Sequence, residues 1–304
     1  MSDKPVNQSQ QSSPLVYVVT VNWNRVDDTR ECLASISNST YDNLKSLGVD
    51  NGSTDGSTEL ISRDFPFAEQ IHNTENLGFA RGYNTGMKHA MDSEAEYIFI
   101  INNDATVAPG TISILIKHST PKNGILAPLI NYSEYPNMIW SSGGLTSSWT
   151  LEKHDPLYEK IDSGDWEQVL KRDFVTGCAM LFPINTLTQI GLFDEKFHMY
   201  YEDMDLCLRV REAGLGINVV PTAKVWHKVA RSSGGPDTPN ERYWMARSSV
   251  RFFRKHAKPH QKPVIIFWRI LSGLRTSFRL AVNNRSNALR AYWAGLRDGL
   301  LEKI

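Results

Sequence analysis

Residues 15–24 read LVYVVTVNWN, and residues 44–57 read LKSLGVDNGSTDGS. Each segment is a short apolar run that ends in polar, turn-forming residues, which is typical of a buried strand entering a loop. The amphipathic stretch Thr29–Ile36 lies between them, and a second such stretch, Ser57–Arg63, follows. This alternation of strands and helices predicts a mostly parallel sheet with helices on both faces.

The same alternation continues to about residue 240. Further predicted elements are helix Gly78–Met91, strand Tyr97–Ile101, strand Phe174–Phe182, helix Asp203–Ala213, and short strands Gly216–Val220 and Ala223–Trp226. Residues 131–172 are less regular and are predicted to form loops and edge strands. We therefore expect an α/β domain over residues 15–240, preceded by a disordered tail (1–14) and followed by a helical extension (241–304).

The chain of 304 residues has no net charge, but its charge is unevenly distributed. Residues 242–304 contain 14 Lys and Arg and two acids, which leaves 19 basic and 31 acidic residues in 1–241. The extension is thus about +12 and the body about −12, which predicts that the extension meets an anionic surface. No nucleic-acid motif is present, so a membrane is the favoured surface; packing on the main domain explains the helices of 264–279 equally well.

The number of cysteines and the length of the apolar runs indicate where in the cell the protein is expected. Cys32, Cys178 and Cys207 are odd in number and far apart, which argues against a disulfide framework or a zinc site. The longest apolar run, Val264–Trp268, is far shorter than the roughly 20 residues of a spanning helix, and the polar N-terminus resembles no signal peptide. We expect a cytoplasmic protein that is at most peripheral on the inner face of the membrane.

Polar residues follow three of the predicted strands, at the edge where ligands of parallel sheets gather. These segments are 22–25, 50–57 and 102–105. Asp104 comes just after an apolar strand, where an ionised carboxylate is costly without solvent, a partner or a metal. A helix cap is the structural explanation. The functional explanation is that Asp104 binds Mg²⁺ or Mn²⁺, an ion held by one or two carboxylates with diphosphate oxygens as its further ligands.

A second acidic cluster stands at a predicted helix start, after aromatic residues. Acids there complement the helix dipole, a common effect worth up to about 1 kcal/mol. Asp205 lies four residues before Arg209 and is expected to pair with it, which leaves Glu202 and Asp203 to face the cleft. A carboxylate in a semi-apolar pocket is a candidate general base. His227 ends a strand, and a lone histidine is most often structural.

Taken together, these segments resemble the family-2 glycosyltransferases of the GT-A fold, and among them the rhamnosyltransferase-like group. The resemblance covers about residues 15–230, with its motifs in order. The matching runs are VNWN (21–24), VDNGSTDGS (49–57), NLGFARGYNTG (76–86), INNDA (101–105), TGCAML (176–181) and FDEKFHMYYEDMDLCLR (193–209). Each run alone is moderately specific, and the ordered set is highly specific.

The resemblance implies a role for each of these positions. Asp50 would accept a hydrogen bond from the N3–H of a pyrimidine base, and the other donor-binding residues would be Thr20, Asn22, Asn51, Arg81, Asn102 and Asn103. The metal ligands would be Asp104 and His227. Asp203 would be the general base with Glu202 beside it, and the acceptor would contact Thr176, Gly177, Cys178 and Tyr201. Asn102 stands where the family often has an acid, which predicts weaker metal binding.

The resemblance thus implies an inverting, metal-dependent transfer from a dTDP- or UDP-linked sugar, dTDP-rhamnose among them. The acceptor would be a glycan or a polyprenol-diphosphate-linked saccharide. A nucleotidyltransferase is the enzymatic alternative, but it would need a Gly-rich, basic loop after the first strand, where Asn22–Arg25 stands. The non-enzymatic alternative is a scaffold with a decayed site, which only Asn102 favours. The residues do not select a particular sugar, acceptor or oligomeric state.

Overall fold

The structure, a computed structural model, describes residues 13–229, 235 and 237–303; the tail predicted to be disordered lies almost wholly outside them. The strands of the described residues are β1 (Val16–Asn22), β2 (Leu44–Asn51), β3 (Glu69–Asn73), β4 (Tyr97–Ile101), β5 (Ala105–Val107), β6 (Asn123–Tyr132), β7 (Ile139–Ser141), β8 (Leu145–Thr146), β9 (Lys153–His154), β10 (Leu170–Arg172), β11 (Ala179–Pro183) and β12 (Gly216–His227). The helices are α1 (Val26–Ser37), α2 (Ser57–Asp64), α3 (Gly78–Asp92), α4 (Thr111–Lys117), α5 (Ile184–Ile190), α6 (Glu202–Glu212), α7 (Pro239–His256), α8 (Lys262–Val282) and α9 (Ser286–Leu301).

Strands β1 to β4 form the parallel half of a ten-stranded sheet, in the order β4-β1-β2-β3. Side chains alternate along β1, so Val16 and Val18 enter the core that contains α1, while Tyr17 and Val19 enter the core that contains α3. Helices therefore cover both faces, as the sequence predicts. Because β1 and β2 run in parallel, their polar carboxyl ends meet at one edge, and this edge positions the candidate site.

The second half of the sheet is mixed. β11 is antiparallel to both β4 and β6, and the order continues β6-β12-β10. The predicted strand over residues 174–182 is shorter than expected, because residues 174–178 form a loop before β11 begins at Ala179. The two short strands predicted over residues 216–226 form one strand, β12, whose register shifts between Val220 and Lys224. Pro221, which has no N–H to donate, lies at this shift.

The C-terminal helices pack against the sheet domain through α7, which begins beside the predicted boundary. Phe252 and Phe253 of α7, with Ile265 of α8, belong to the same core as α3. α9 crosses α7 closely at Gly295, where an added Cβ would lie 2.2 Å from the carbonyl oxygen of Tyr243. The boundary thus separates two kinds of structure that share a core. No helix in the described part of the chain is long and apolar enough to span a membrane.

Candidate active site

Asn22 and Asp50 lie opposite each other at the carboxyl ends of β1 and β2. Asn22 Nδ2 donates to Asp50 Oδ1 at 3.1 Å, and the Ser53 amide donates to Asp50 Oδ2 at 3.2 Å. These bonds fix the carboxylate, and its remaining lone pairs can still accept a ligand N–H. Thr29 Oγ1, on α1, donates to Asn22 Oδ1 at 2.7 Å. Thr20 is completely buried, so its side chain supports this edge from inside.

The Asn51 side chain connects the end of β2 to residues 73–78 through hydrogen bonds. Its Nδ2 donates to Asn76 Oδ1 at 3.0 Å and to the Gly78 carbonyl at 3.2 Å. Its Oδ1 accepts from Asn73 Nδ2 at 3.0 Å and from the Leu77 amide at 3.2 Å. These four bonds use the full capacity of the carboxamide. The structure therefore gives this predicted donor residue a positioning role, holding β3 and the start of α3 beside Asp50.

Asp104 and His227 are far apart in sequence and adjacent in the structure. β5 pairs antiparallel with β12 so that His227 lies opposite Ala105. His227 Nε2 is 3.0 Å from Asp104 Oδ1, and both residues are buried. Burial raises the pKa of Asp104, but the hydrogen bond with His227, the charges of His227 and Lys228 and a backbone hydrogen bond together outweigh it, and the pKa is lowered. Burial lowers the pKa of His227, whereas Cys178 and Asp104 raise it, and the net result is about 10.

This pair fits a divalent cation. A carboxylate oxygen and an imidazole nitrogen 3.0 Å apart can ligate one Mn²⁺ or Mg²⁺ ion once the imidazole has released its proton. No group of three or more His, Cys, Asp or Glu that could hold a metal occurs among residues 13–229, 235 and 237–303. The other ligands would therefore be oxygens of the donor diphosphate and water, which is how Mg²⁺ is usually held at phosphate sites.

The remaining predicted donor residues lie on the loop after β4 and on α3. Asn103 Nδ2 donates to Thr29 Oγ1 at 2.9 Å, which ties the loop after β4 to α1. Asn102 Oδ1 accepts from the Tyr83 hydroxyl at 3.3 Å. Arg81 lies on α3, half exposed, with its Nε 3.7 Å from Glu195 Oε2. An exposed ion pair of this length is weak, so Arg81 is available to a phosphate.

The loop 176–178 connects the Asp104 loop to the start of α6. The Gly177 amide donates to Asp203 Oδ2 at 3.1 Å, and the Asn102 amide donates to the Cys178 carbonyl at 2.8 Å. The Phe79 ring packs closely over this loop, since an added Cβ at Gly177 would lie 2.9 Å from it. Burial raises the pKa of the Cys178 thiol, so it lines the site as a neutral group. The structure therefore brings Asp203, this loop and Asp104 into one site.

Glu202 and Asp203 begin α6 directly after two tyrosines in the left-handed conformation, Tyr200 (φ 68°) and Tyr201 (φ 69°). Asp203 is partly exposed and accepts from its own helix at the Met204 amide, 2.8 Å away. Glu202 is buried, and its Oε2 has no hydrogen-bond partner among the described residues. Burial, together with the charge of Asp203, raises the pKa of Glu202 well above its usual value. The two acids thus differ in exposure and in hydrogen bonding.

Asp205 is structural, as the sequence predicts. Arg209 Nε lies 2.9 Å from Asp205 Oδ2. The sequence does not predict its second set of partners, Lys255 and His256 of α7, at 2.6 and 2.8 Å from Asp205 Oδ1. Burial raises the pKa of Asp205, but the hydrogen bond from His256 and the nearby cations outweigh it and lower the pKa to about 2.

Helix α7 also supports the loop before α6, which sequence reasoning missed. His198 stacks on Trp244 at 4.2 Å between ring centroids, and Ser248 Oγ donates to the Met199 carbonyl at 2.8 Å. Tyr201 packs on Phe252 at 5.4 Å. An aromatic-rich pattern in α7 is visible in the sequence, but nothing in that pattern indicates which loop it contacts.

Two solved structures share this architecture. A mannosyltransferase from Pyrobaculum calidifontis in complex with GDP-Man and Mn²⁺ superposes with a TM-score of 0.59 at 19% identity, covering 97% of this chain and 77% of that one. GalNAc-T7 with UDP, GalNAc and Mn²⁺ gives a TM-score of 0.62 at 15% identity, covering 82% of this chain and 52% of that one. At these identities the likeness concerns the fold. The fold and the acidic edge define a glycosyltransferase of the GT-A type.

Sequence comparison identifies the family. The model of glycosyl transferase family 2 matches residues 17–181, more than half of the chain, and the protein belongs to this family. The N-acetylglucosaminyl-diphospho-decaprenol L-rhamnosyltransferase of Mycobacterium tuberculosis is 27% identical over 247 residues, which cover 71% of this chain and 77% of the relative. The dTDP-rhamnosyl transferase RfbF of Shigella flexneri is 21% identical over 191 residues, or 60% and 62% of the two chains. The resemblance to rhamnosyltransferases is thereby confirmed.

Proposed function

We propose that this glycosyltransferase moves a sugar, with inversion, from a dTDP- or UDP-linked donor to a lipid-linked saccharide, using Mn²⁺ or Mg²⁺. The observation that carries the proposal is the continuity of the site. Hydrogen bonds through the loop 176–178 join the candidate base Asp203 to the loop that bears Asp104. A proton acceptor and a metal-binding pair are thereby fixed relative to each other, as a single displacement requires.

The donor half rests on Asp50 and on the Asp104–His227 pair. Asp50 is held by Asn22 and the Ser53 amide, so it offers a fixed acceptor to the N3–H that uracil and thymine share. A divalent ion held by Asp104 and His227 would offset the charge that develops on the leaving diphosphate. The rhamnosyltransferase relatives make dTDP-rhamnose the first donor to test.

The acceptor half rests on Asp203. Its Oδ2 is oriented by the Gly177 amide, and the side chain is partly exposed, so an acceptor hydroxyl can reach it. A hydroxyl that attacks the anomeric carbon from the side opposite the diphosphate must lose its proton, and Asp203 can accept it. Thr176, Gly177, Cys178 and Tyr201 remain the proposed acceptor contacts.

We further propose that the enzyme works in the cytoplasm, peripherally on the inner membrane face, where a polyprenol-diphosphate-linked acceptor would be presented. The support comes from α8. Phe267 and Phe278 are 61% and 72% exposed, and Trp268 is 47% exposed. Exposed aromatic residues beside cations such as Arg275 are typical of helices at a bilayer interface.

Calorimetric titration with dTDP and UDP, in MnCl₂ and in EDTA, tests the donor site. We expect Mn²⁺ to tighten dTDP binding to the wild-type protein. Asp104→Ala should lose that gain, by about tenfold or more, since even outer-sphere partners of a metal are worth this much. The exposed loop residue Asp165 provides the matched control, Asp165→Ala. Absence of nucleoside diphosphate binding under both conditions would overturn the proposal.

A further inference from the structure

A groove between α7, α8 and α9 takes no part in the site described above. Its volume is about 790 Å³, within the range of roughly 300–1,000 Å³ that small-molecule pockets occupy. The walls are mainly aliphatic and aromatic, with Ile265, Ile270 and Leu274 from α8 facing Trp293 and Leu300 from α9. Ile270, Leu274 and Leu300 are 58%, 59% and 64% exposed, so the groove is open along its length.

The charged side chains that line the groove are all cationic, although Glu152 lies 3.6 Å from Arg269 and Asp298 lies 2.9 Å from Arg297. Among the described residues that line it, four are cationic and none is acidic; the four are Arg254, Lys262, Arg269 and Arg297. An apolar channel edged by cations complements an amphiphile that has a hydrocarbon chain and an anionic head.

One residue of the groove wall packs against a residue of the proposed acceptor site. Phe253 lines the groove, and its ring lies 6.2 Å from that of Tyr201, the residue that precedes Glu202. The Arg269 guanidinium lies 5.0 Å from the centre of the same Phe253 ring. Arg269 also donates to Ser249 Oγ at 2.7 Å and lies 3.6 Å from the partly exposed Glu152, and these contacts hold the cation in place.

We propose that this groove holds the hydrocarbon chain of a lipid diphosphate, namely the lipid-linked acceptor of the proposed function, on which this inference rests. The chain lies between α8 and α9. Arg269 attracts the diphosphate, so that the saccharide attached to it extends past Phe253 and Tyr201 toward Asp203. The groove and the exposed outer face of α8 then have different roles, since the groove binds one lipid and the outer face contacts the bilayer.

Two substitutions on α8 separate these roles. Ile270 lines the groove, whereas Phe267, 61% exposed, does not line it. Ile270→Asp and Phe267→Asp introduce the same charge at similarly exposed positions one turn apart. Leu300→Asp on the opposite wall, in α9, provides a second groove variant. All three sites are exposed, so the variants should fold, and thermal unfolding of each checks this.

The experiment is calorimetric titration with farnesyl diphosphate in EDTA, so that the Asp104–His227 pair holds no ion. We expect wild type and Phe267→Asp to bind within about twofold of each other, the usual range for an exposed site. Ile270→Asp and Leu300→Asp should bind at least about tenfold more weakly, because a carboxylate in an apolar wall disfavours the chain. Inorganic diphosphate alone should bind more weakly than farnesyl diphosphate. The Phe267→Asp variant should bind phosphatidylglycerol vesicles more weakly than the wild type does.

Equal binding of farnesyl diphosphate to wild type and both groove variants would overturn the proposal, as would equally tight binding of inorganic diphosphate. Titration of the protein with dTDP in the presence of Mn²⁺ distinguishes a failure of this inference from a failure of the proposed function. Farnesyl diphosphate binding without dTDP binding would refute the transferase site and leave the groove standing. Binding of dTDP without farnesyl diphosphate would refute the groove alone.

Discussion

Adjacent carboxyl groups at the start of α6 have opposite environments. Asp203 is partly exposed and accepts the Gly177 amide, whereas Glu202 is buried with Oε2 unpartnered among the described residues. A buried, unpaired carboxyl group favours its protonated form, because ionisation without a partner is costly at low dielectric. The two adjacent acids are therefore separated into a partly exposed carboxyl group that accepts a hydrogen bond and a buried, neutral neighbour.

Asp203→Asn tests the base at this scale. Asparagine keeps an oxygen to accept the Gly177 amide but cannot take a proton from the acceptor. We expect the rate of transfer to fall by about 10²–10⁴-fold, the usual contribution of general-base catalysis. Calorimetry with dTDP and Mn²⁺ should show unchanged donor affinity. Full activity in this variant would remove Asp203 from its proposed role.

Glu202→Gln tests whether Glu202 is neutral in the folded protein, through the pH dependence of the free energy of unfolding. The pKa of Glu202 is raised in the folded state, so the unfolded chain loses this proton first, from about pH 4.5 upward. Ionisation thus increasingly favours the unfolded state as the pH rises toward the folded pKa. Glutamine cannot ionise, and its stability relative to wild type should grow with pH above 4.5. Urea unfolding at several pH values measures this; Glu212→Gln, exposed on the same helix, should show no such trend.

At the scale of elements, Asp205 joins α6 to α7. Arg209, Lys255 and His256 surround its carboxylate, whose side chain is fully buried. Arg209 also donates to the Ile190 and Leu192 carbonyls, at 2.7 Å each, which fixes the loop leading to the tyrosines. The network therefore holds the start of α6, where the proposed base lies, against the C-terminal extension.

Asp205→Asn should destabilise the fold at neutral pH by about 2 kcal/mol, because it removes a fully buried carboxylate whose pKa its partners lower to about 2. The folded pKa of about 2 lies below the unfolded value, so the carboxylate contributes fully above about pH 4 and loses its contribution as the pH falls through 2. The difference from wild type in urea unfolding should therefore shrink below pH 4. Asp165→Asn, in an exposed loop, should change stability by less than about 0.5 kcal/mol.

Strand β6 shows where local pattern misleads. Its sequence contains Gly124 and Pro128, which weaken any strand prediction. Pro128 pairs with Val220 at the point where β12 shifts its register, so the missing N–H coincides with a break already present in the ladder. The two irregularities, at Pro128 and Pro221, are 93 residues apart in sequence, and only the pairing of the strands brings them together.

At the scale of the molecule, the proposed membrane contact combines the positive charge of the extension with the exposed face of α8. Each cation near an anionic surface contributes about 1 kcal/mol, and salt screens this attraction. Replacing the exposed Arg275 and Arg290 by Gln should weaken co-sedimentation with phosphatidylglycerol vesicles by about tenfold or more. Binding should also fall as salt is added.

Arg63→Gln supplies a matched control, since Arg63 is exposed on α2 in the N-terminal half. This variant should sediment like wild type. Equal binding of the double variant, or equal binding to phosphatidylcholine vesicles, would contradict an electrostatic attachment through the extension.

The sequence by itself determined the elements that carry the site. Apolar runs ending in polar turns predicted β1, β2 and β4, and their parallel pairing follows from the intervening helices. The spacing of Asp205 and Arg209 predicted their ion pair, because residues four apart share a helix face. These features depend on local periodicity, which is visible along the chain.

Only the tertiary structure decided which distant groups meet. His227 reaches Asp104 because β12 pairs with β5, and Gly177 reaches Asp203 because a loop before β11 passes close to α6. The burial that neutralises Glu202, and the groove between α7, α8 and α9, likewise arise from packing between elements. Burial and long-range pairing depend on how elements stack, and no local pattern in the sequence records that stacking.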